Sequence, residues 1–272
     1  MQEVNGPYED LFIAWPFTKR FALLFKWAMR IQLKWADAVI TVTPQLGEWV
    51  KQESGNSNVS VIPNGANPEL FTPDAPLSVS LNLPDTFVVF FGALARWQGI
   101  DTMLKAVETT IWPQDVKLVI VGKGVEEPKV RDAAKQGKIV YLGEIPYFSI
   151  PGIVARSIAA LSPKSSHGNR GKTGLYPLKV FESLACGVPV IVTDFPGMAD
   201  LVKENGCGIV IPPEDPEALA RAVRYIHDHP EERLRMGHRG RELIVKEHSW
   251  DNRANMTHQV LVRILERRLV HG

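Results

Sequence analysis

Cysteine is scarce in this chain, and so are the features that would send it to a membrane or a nucleic acid. The 272 residues include two cysteines, Cys186 and Cys207. Two isolated thiols build no disulfide framework, and no zinc-type Cys/His spacing accompanies them. The expected state is a pair of inert thiols in a reducing compartment. No apolar run approaches the roughly 20 residues of a spanning helix. The first residues, MQEVNGPYED, are acidic and polar, so no secretory signal is expected in them. A net charge of +1 provides no overall basic field for nucleic acid. Internal repeats, low-complexity tracts and an Asp-x-Asp metal signature are all missing. What is present is an ordinary globular composition, 45% apolar and 22% charged, in a length that suits about two domains.

The apolar pattern gives the order of elements. From Phe87 onward, short apolar runs alternate with amphipathic stretches. TFVVFFG predicts a buried strand, and GIDTMLKAVETT a helix with Ile100, Met103, Leu104 and Val107 on one face. Strands follow at VKLVIVG, KIVYLG, IAALSP, VPVIVTD and GIVI, with helices at EEPKVRDAAKQ, PLKVFESLACG and PGMADLVKE. Three helices close the chain. Alternation of this kind predicts a doubly wound parallel sheet, an α/β fold. The first seventy residues carry a long amphipathic helix (KRFALLFKWAMRIQLKWAD), a strand (ADAVITVT), a helix (PQLGEWVKQ) and a strand (VSVIPNG). They predict the tail of a second alternating domain, with too few strands for a sheet of its own. The Pro-rich stretch near 67–85 reads as a linker.

Ser166 to Thr173, SHGNRGKT, ends like a phosphate-binding P-loop. That motif needs Gly at its first position and a helix opening on its Lys-Thr. Here the first position is Ser166, and Pro177 places the helix start near 176–177, beyond Lys172-Thr173. A P-loop nucleotide-binding protein is therefore the remote alternative. Gly122 and Gly124 in VGKGVEE fail the dinucleotide fingerprint, because Glu127 occupies its third glycine position. A glycine-rich loop bearing His167, Arg170 and Lys172 still precedes a helix at the carboxyl end of a strand, where open α/β sheets bind ligands. Its amides and the helix dipole suit a phosphate. Lys179 and Glu182 follow one turn in, and a carboxylate there suits the paired hydroxyls of a ribose. The same spacing also fits an exposed i,i+3 ion pair.

PLKVFESLACGVPVIVTDFPGMADLV resembles the donor-site helix and following strand of glycosyltransferase family 4, retaining enzymes of the GT-B fold. VSVIPNGANPELFTP is similar to that family's interdomain segment, VVFFGALARWQGIDTMLKAVE to the first strand, loop and helix of its donor domain, and GIVIPPEDPEALARAV to its late strand and helix. The resemblance implies a complete Rossmann-like donor domain at 76–247, preceded at 1–75 by the last part of an acceptor domain. It implies a C-terminal helix at 248–272 packing back toward the N-terminal domain. It also implies transfer of a sugar from a nucleotide-diphosphate sugar to a glycan or lipid-linked acceptor, with retention and without a metal or other cofactor.

By this resemblance Glu182 holds the donor ribose. The amides of Gly174, Leu175 and Tyr176, with Lys179 and Arg96, hold the diphosphate. Gly92 and Gln98 lie in the loop after the first strand, and the base sits against the loop from Gly143 through Ile145 to Pro146. Three charges of the family pattern are missing. Its first glutamate falls on Gly174, and its diphosphate-binding Arg and Lys fall on Ala93 and Gln98. Gly-Ala-Leu…Trp-x-Gly and Thr-Gly-x-x-Pro-Leu-Lys read as a subgroup pattern. About a hundred residues of an acceptor domain are expected to lie outside this chain. A nucleotide-sugar-binding module, or one half of a split enzyme with a separate acceptor-domain chain, is therefore the runner-up to a transferase active by itself. Residues 19–35 alternate basic with aromatic and aliphatic side chains, the pattern of an interfacial helix. In a complete two-domain protein the same stretch is a packed helix of the N-terminal domain, so the expected location is cytoplasmic, with peripheral membrane contact through that helix as the alternative.

Overall fold

The computed structural model describes residues 1–77, 81–166 and 173–271. Its main body is a parallel sheet of six strands: β4 (Phe87–Phe91), β5 (Lys117–Val121), β6 (Val140–Gly143), β7 (Ala159–Ser162), β8 (Val190–Thr193) and β9 (Gly208–Ile211). They lie in the order β6-β5-β4-β7-β8-β9. The chain starts in the middle with β4, winds out one way, then crosses to β7 and winds out the other way. The β4–β7 boundary is thus the topological switch point, where crossovers diverge and leave a crevice at the carboxyl ends of the strands.

Side-chain alternation explains why this sheet is covered on both faces. All five residues of β4 are buried. Phe87, Val89 and Phe91 enter one core with α6 (Ile150–Val154) and α7 (Leu178–Ala185). Val88 and Phe90 enter the other core with α4 (Ile100–Ala106) and α9 (Pro216–Asp228). Such a strand reads as a continuous apolar run rather than an alternating one. α5 (Glu127–Lys135), α8 (Met198–Asn205) and α10 (Pro230–Glu247) complete the layers. Both cysteines are buried, and burial pushes the Cys186 thiol up to about 12 and the Cys207 thiol up to about 11, so both stay protonated.

The N-terminal residues correct the sequence reading. They do form a sheet of their own. β1 (Gln2–Val4), β2 (Val39–Thr41) and β3 (Val59–Val61) pair in parallel in that order. The missed strand is QEV, a three-residue stretch whose pairing partner lies 37 residues away at Val39. α1 (Glu9–Ala14), α2 (Ala22–Lys34) and α3 (Pro44–Ser54) accompany it. The predicted long helix is split, its first turns forming a 3-10 segment at Pro16–Phe21. The Pro-rich connection is docked against the main body. Phe71 is fully buried, and Arg241 donates to the carbonyls of Pro68, Phe71 and Ala185.

α11 (Trp250–His271) returns to the small sheet. Val260 packs with Ala38, Ile40 and Ile62, and Arg253 donates to the Ile62 and Pro63 carbonyls and pairs with Glu3 at 2.7 Å. No described helix is long and apolar enough to cross a membrane.

Candidate functional site

A cleft of about 1020 Å³ opens at the switch point. Its floor is the turn after β4, where Gly92 takes φ +126 and a Cβ would stand 3.2 Å from Lys179 Nζ. One wall is the turn after β5, where Gly122 takes φ +130 and a Cβ would collide with the Gly92 carbonyl oxygen at 2.0 Å, two reasons for glycine. Ala93, Gln98 and the loop Glu144–Pro146 also line it, and α7 supplies Leu178, Lys179 and Glu182.

The electrostatic centre is built from three chain segments. Lys164 follows β7, Gln98 ends a short 3-10 turn after β4, and Lys179 lies in the first turn of α7. The Lys164 ammonium donates to Gln98 Oε1 at 2.7 Å, and the Lys179 ammonium to the same oxygen at 3.3 Å. Lys179 Nζ also stands 3.7 Å from the centre of the Phe90 ring. Burial first, and then the Lys164 charge, hold Lys179 well below the ordinary lysine pKa, with Glu182 acting weakly the other way. Two lysine side chains therefore converge on one neutral amide oxygen, and a bound anion would favour the charged form of both.

Glu182 lies three residues after Lys179, in the second turn of α7, at 6% exposure. Burial raises its pKa above the ordinary glutamate value, against the pull of the Tyr147 hydroxyl and of Lys179. Tyr147 donates to Glu182 Oε1 at 2.7 Å. The alternative reading of Lys179 and Glu182 as a solvated surface pair is overturned by this burial.

Of the residues marked from the sequence, Glu182, Lys179, Gly92, Gln98 and Ile145 line the cleft together. Gly143 lies one residue behind the lining, its carbonyl accepting from the Gly122 amide at 2.7 Å. Arg96 needs correction. It points into a neighbouring groove, 72% exposed and 3.9 Å from Glu126. Successive residues of a 3-10 turn point about a third of a turn apart, so Arg96 and Gln98 diverge. Lys164, which sequence reading missed, stands where a second cation was sought. The available signal was a lysine just past the end of a central strand.

The expected role of the Leu175 amide also needs correction, because it donates to the Pro196 carbonyl at 2.9 Å. Gly174, Leu175 and Tyr176 are strapped to other parts of the chain and do not line the cleft. Thr43 Oγ1 donates to the Thr173 carbonyl at 2.5 Å, and Asn64 Nδ2 to the Tyr176 carbonyl at 2.7 Å. Gly174 takes φ +76, and a Cβ there would stand 2.6 Å from Gln45 Oε1. Glycine at the place of the family's first glutamate is favoured by that left-handed φ, with the Thr43 Cβ 3.1 Å away as the firmer neighbour. His167, Arg170 and Lys172 lie outside the described residues. α7 starts at Leu178, five residues after Thr173, so no helix opens at Thr173.

The sequence profile of the glycosyl transferases group 1 family matches residues 76–243. The chain is 30% identical over 201 residues to the GDP-mannose-dependent monoacylated alpha-(1-6)-phosphatidylinositol monomannoside mannosyltransferase of Corynebacterium glutamicum, covering 70% of this chain and 52% of that protein. It is 24% identical over 233 residues to an uncharacterised glycosyltransferase of Methanocaldococcus jannaschii, covering 80% and 58%. The chain spans about half the length of the curated relatives it matches. Among solved structures, sucrose-phosphate synthase from Thermosynechococcus elongatus superposes with a TM-score of 0.75 at 25% identity, over 88% of this chain and 61% of that one. Anabaena HepE in complex with UDP superposes at 0.69 and 16%, over 84% and 64%. These folds are of the GT-B type, in keeping with the α/β reading of the sequence. The chain belongs to the glycosyl transferases group 1 family.

Proposed function

We propose that this chain binds a nucleotide-diphosphate sugar in the switch-point cleft and takes part in transferring its sugar, with retention of configuration, to a glycan or lipid-linked acceptor. The observation that carries this reading is the pair of ammonium groups, Lys164 and Lys179, meeting at Gln98 Oε1 on one side of the cleft, with the buried Glu182 carboxylate lining it as well. Cations suit a diphosphate and a carboxylate suits ribose hydroxyls. HepE, of like fold, is a UDP complex, which supports a nucleotide as the ligand class.

The chemistry asks little covalent work of the protein. The bond from the anomeric carbon to the diphosphate breaks and negative charge grows on the leaving oxygen. Lysines fixed in place before reaction stabilise that charge without reorganising. Orientation of donor and acceptor supplies much of the remaining acceleration. In this reading Glu182 orients the donor, Gly92 leaves room for the diphosphate beside Lys179, and Ile145 and Pro146 border the base.

The second reading is a donor-binding module served by an acceptor domain on another chain. It is favoured by the uncovered row Leu23, Leu24, Trp27 and Trp35 beside the small sheet, each more than half exposed. Ligand-observed NMR against UDP-, GDP- and ADP-sugars, followed by product analysis, tests both readings. Binding with α-configured product from an α-configured donor supports the transferase, and binding with no transfer to any acceptor supports the module. No binding of any nucleotide sugar to folded protein contradicts both.

A further inference from the structure

We propose that Tyr147 is a positioning residue, aiming the Glu182 carboxylate at the hydroxyl groups of the donor's ribose. The inference rests on the donor-site reading of the cleft. Tyr147 opens a short 3-10 turn, Tyr147–Ser149, directly after the cleft-lining loop Glu144–Pro146. Its hydroxyl reaches 35 residues along the sequence to donate to Glu182 Oε1 at 2.7 Å. Its ring is steadied from behind by Phe71, edge to face with centroids 5.6 Å apart, and Phe71 is fully buried. The tyrosine is therefore a strut between the docked interdomain connection and the carboxylate.

The strut matters because glutamate has several rotatable bonds. Without a partner, the Glu182 carboxylate is drawn toward the Lys179 ammonium one turn earlier on the same helix. That motion would neutralise a cation meant for the diphosphate and withdraw an acceptor from the ribose. A carboxylate offers about four acceptor positions. Tyr147 occupies one on Oε1, which leaves Oε2 and the remaining position on Oε1 for vicinal hydroxyl donors.

The groups that face Glu182 electrostatically are Tyr147, Lys179 and the Cys186 thiol, with Arg241 reaching the Ala185 carbonyl nearby. Burial pushes the glutamate toward its neutral form, and the Tyr147 hydroxyl is the larger of the two influences that oppose it. Removing the hydroxyl therefore both frees the side chain and raises the pH needed to ionise it.

The test is calorimetry on Tyr147→Phe, which keeps the ring and its packing on Phe71. The probes are UDP, GDP and ADP, their 2′,3′-dideoxy analogues, and inorganic pyrophosphate. The expected result is a loss of roughly five- to tenfold for the ribose nucleotide, the size of one hydrogen bond. Little change is expected for the dideoxy analogue or for pyrophosphate. The loss should vanish in a Glu182→Gln background, and the acid limb of the affinity profile should move to higher pH. Equal losses for ribose and dideoxy ligands, or a loss that persists in Glu182→Gln, overturn the positioning role while leaving the donor site standing. A wild-type chain that is folded by circular dichroism yet binds none of the nucleotides overturns both. Unchanged ribose-nucleotide affinity in a folded Tyr147→Phe overturns the positioning role alone.

Discussion

Lys179 decides whether the cleft is an anion site. Its side chain does two jobs, the stem covering Phe90 and the ammonium meeting Gln98 and Lys164 at one oxygen. Lys179→Met keeps the stem and removes the charge. Nucleoside diphosphate affinity should fall by about 1.5–3 kcal/mol, the range of a hydrogen bond to a charged group, and Glu182→Ala should lose a similar amount. Calorimetry checks both, and unchanged affinity in folded variants would contradict these roles. His248 gives a stability test away from the cleft. It packs against Phe181 at 5.3 Å between centroids, and burial holds its pKa below the ordinary histidine value. The native state then binds fewer protons than the unfolded chain between those two values, so stability falls as pH drops below the ordinary histidine range of about 6.5. Urea unfolding at pH 7.5 and 5.5 should show a smaller acid loss for His248→Gln than for wild type. Equal losses would mean the imidazole is not held neutral.

At the scale of elements, local pattern and long-range pairing were not equally readable. Lys179 and Glu182 were legible because three residues on a helix set their faces together. Lys164 and Tyr147 were not. Their meetings with Gln98 and Glu182 depend on strand order and on the loop after β6, which no short window contains. Arg96 misled for the related reason that nearness in sequence is not nearness of side chains across a 3-10 turn. The strand Gln2–Val4 was missed because its only support is pairing with Val39–Thr41.

α2 presents an uncovered apolar face. Leu23 is 85% exposed and Trp27 62%, and Trp15, Phe17 and Trp35 are also open. Lys19, Arg20 and Lys34 lie among them, while Lys26 and Arg30 reach Glu53. We propose that this basic and aromatic face meets an anionic membrane surface, as an interfacial helix does. The chain should co-sediment with phosphatidylglycerol vesicles at low salt, less so at high salt, and a Leu23→Ser/Trp27→Ser variant should stay in the supernatant. Equal sedimentation of the two proteins would show that this face does not dock on lipid.

For the whole molecule, the two sheets are held in register by contacts that also shape the donor side. Thr43 and Asn64 of the N-terminal unit grip the segment leading into α7, and α11 ties the end of the chain back to the small sheet. The order of strands and helices from Phe87 onward could be read from apolar runs alone, because strands buried on both faces leave continuous apolar signatures. The geometry of the cleft could not, because it arises where two crossovers part at the β4–β7 boundary. The central claim is that this crevice is a nucleoside diphosphate site. Isothermal titration of the 272-residue chain with UDP, GDP and ADP, each against ATP as a control, tests it most directly. The account predicts that one of the three diphosphates binds in a one-to-one complex and that Lys179→Met weakens it without unfolding the protein. Tight ATP binding that depends on Lys172, with no response to any nucleoside diphosphate, would contradict it.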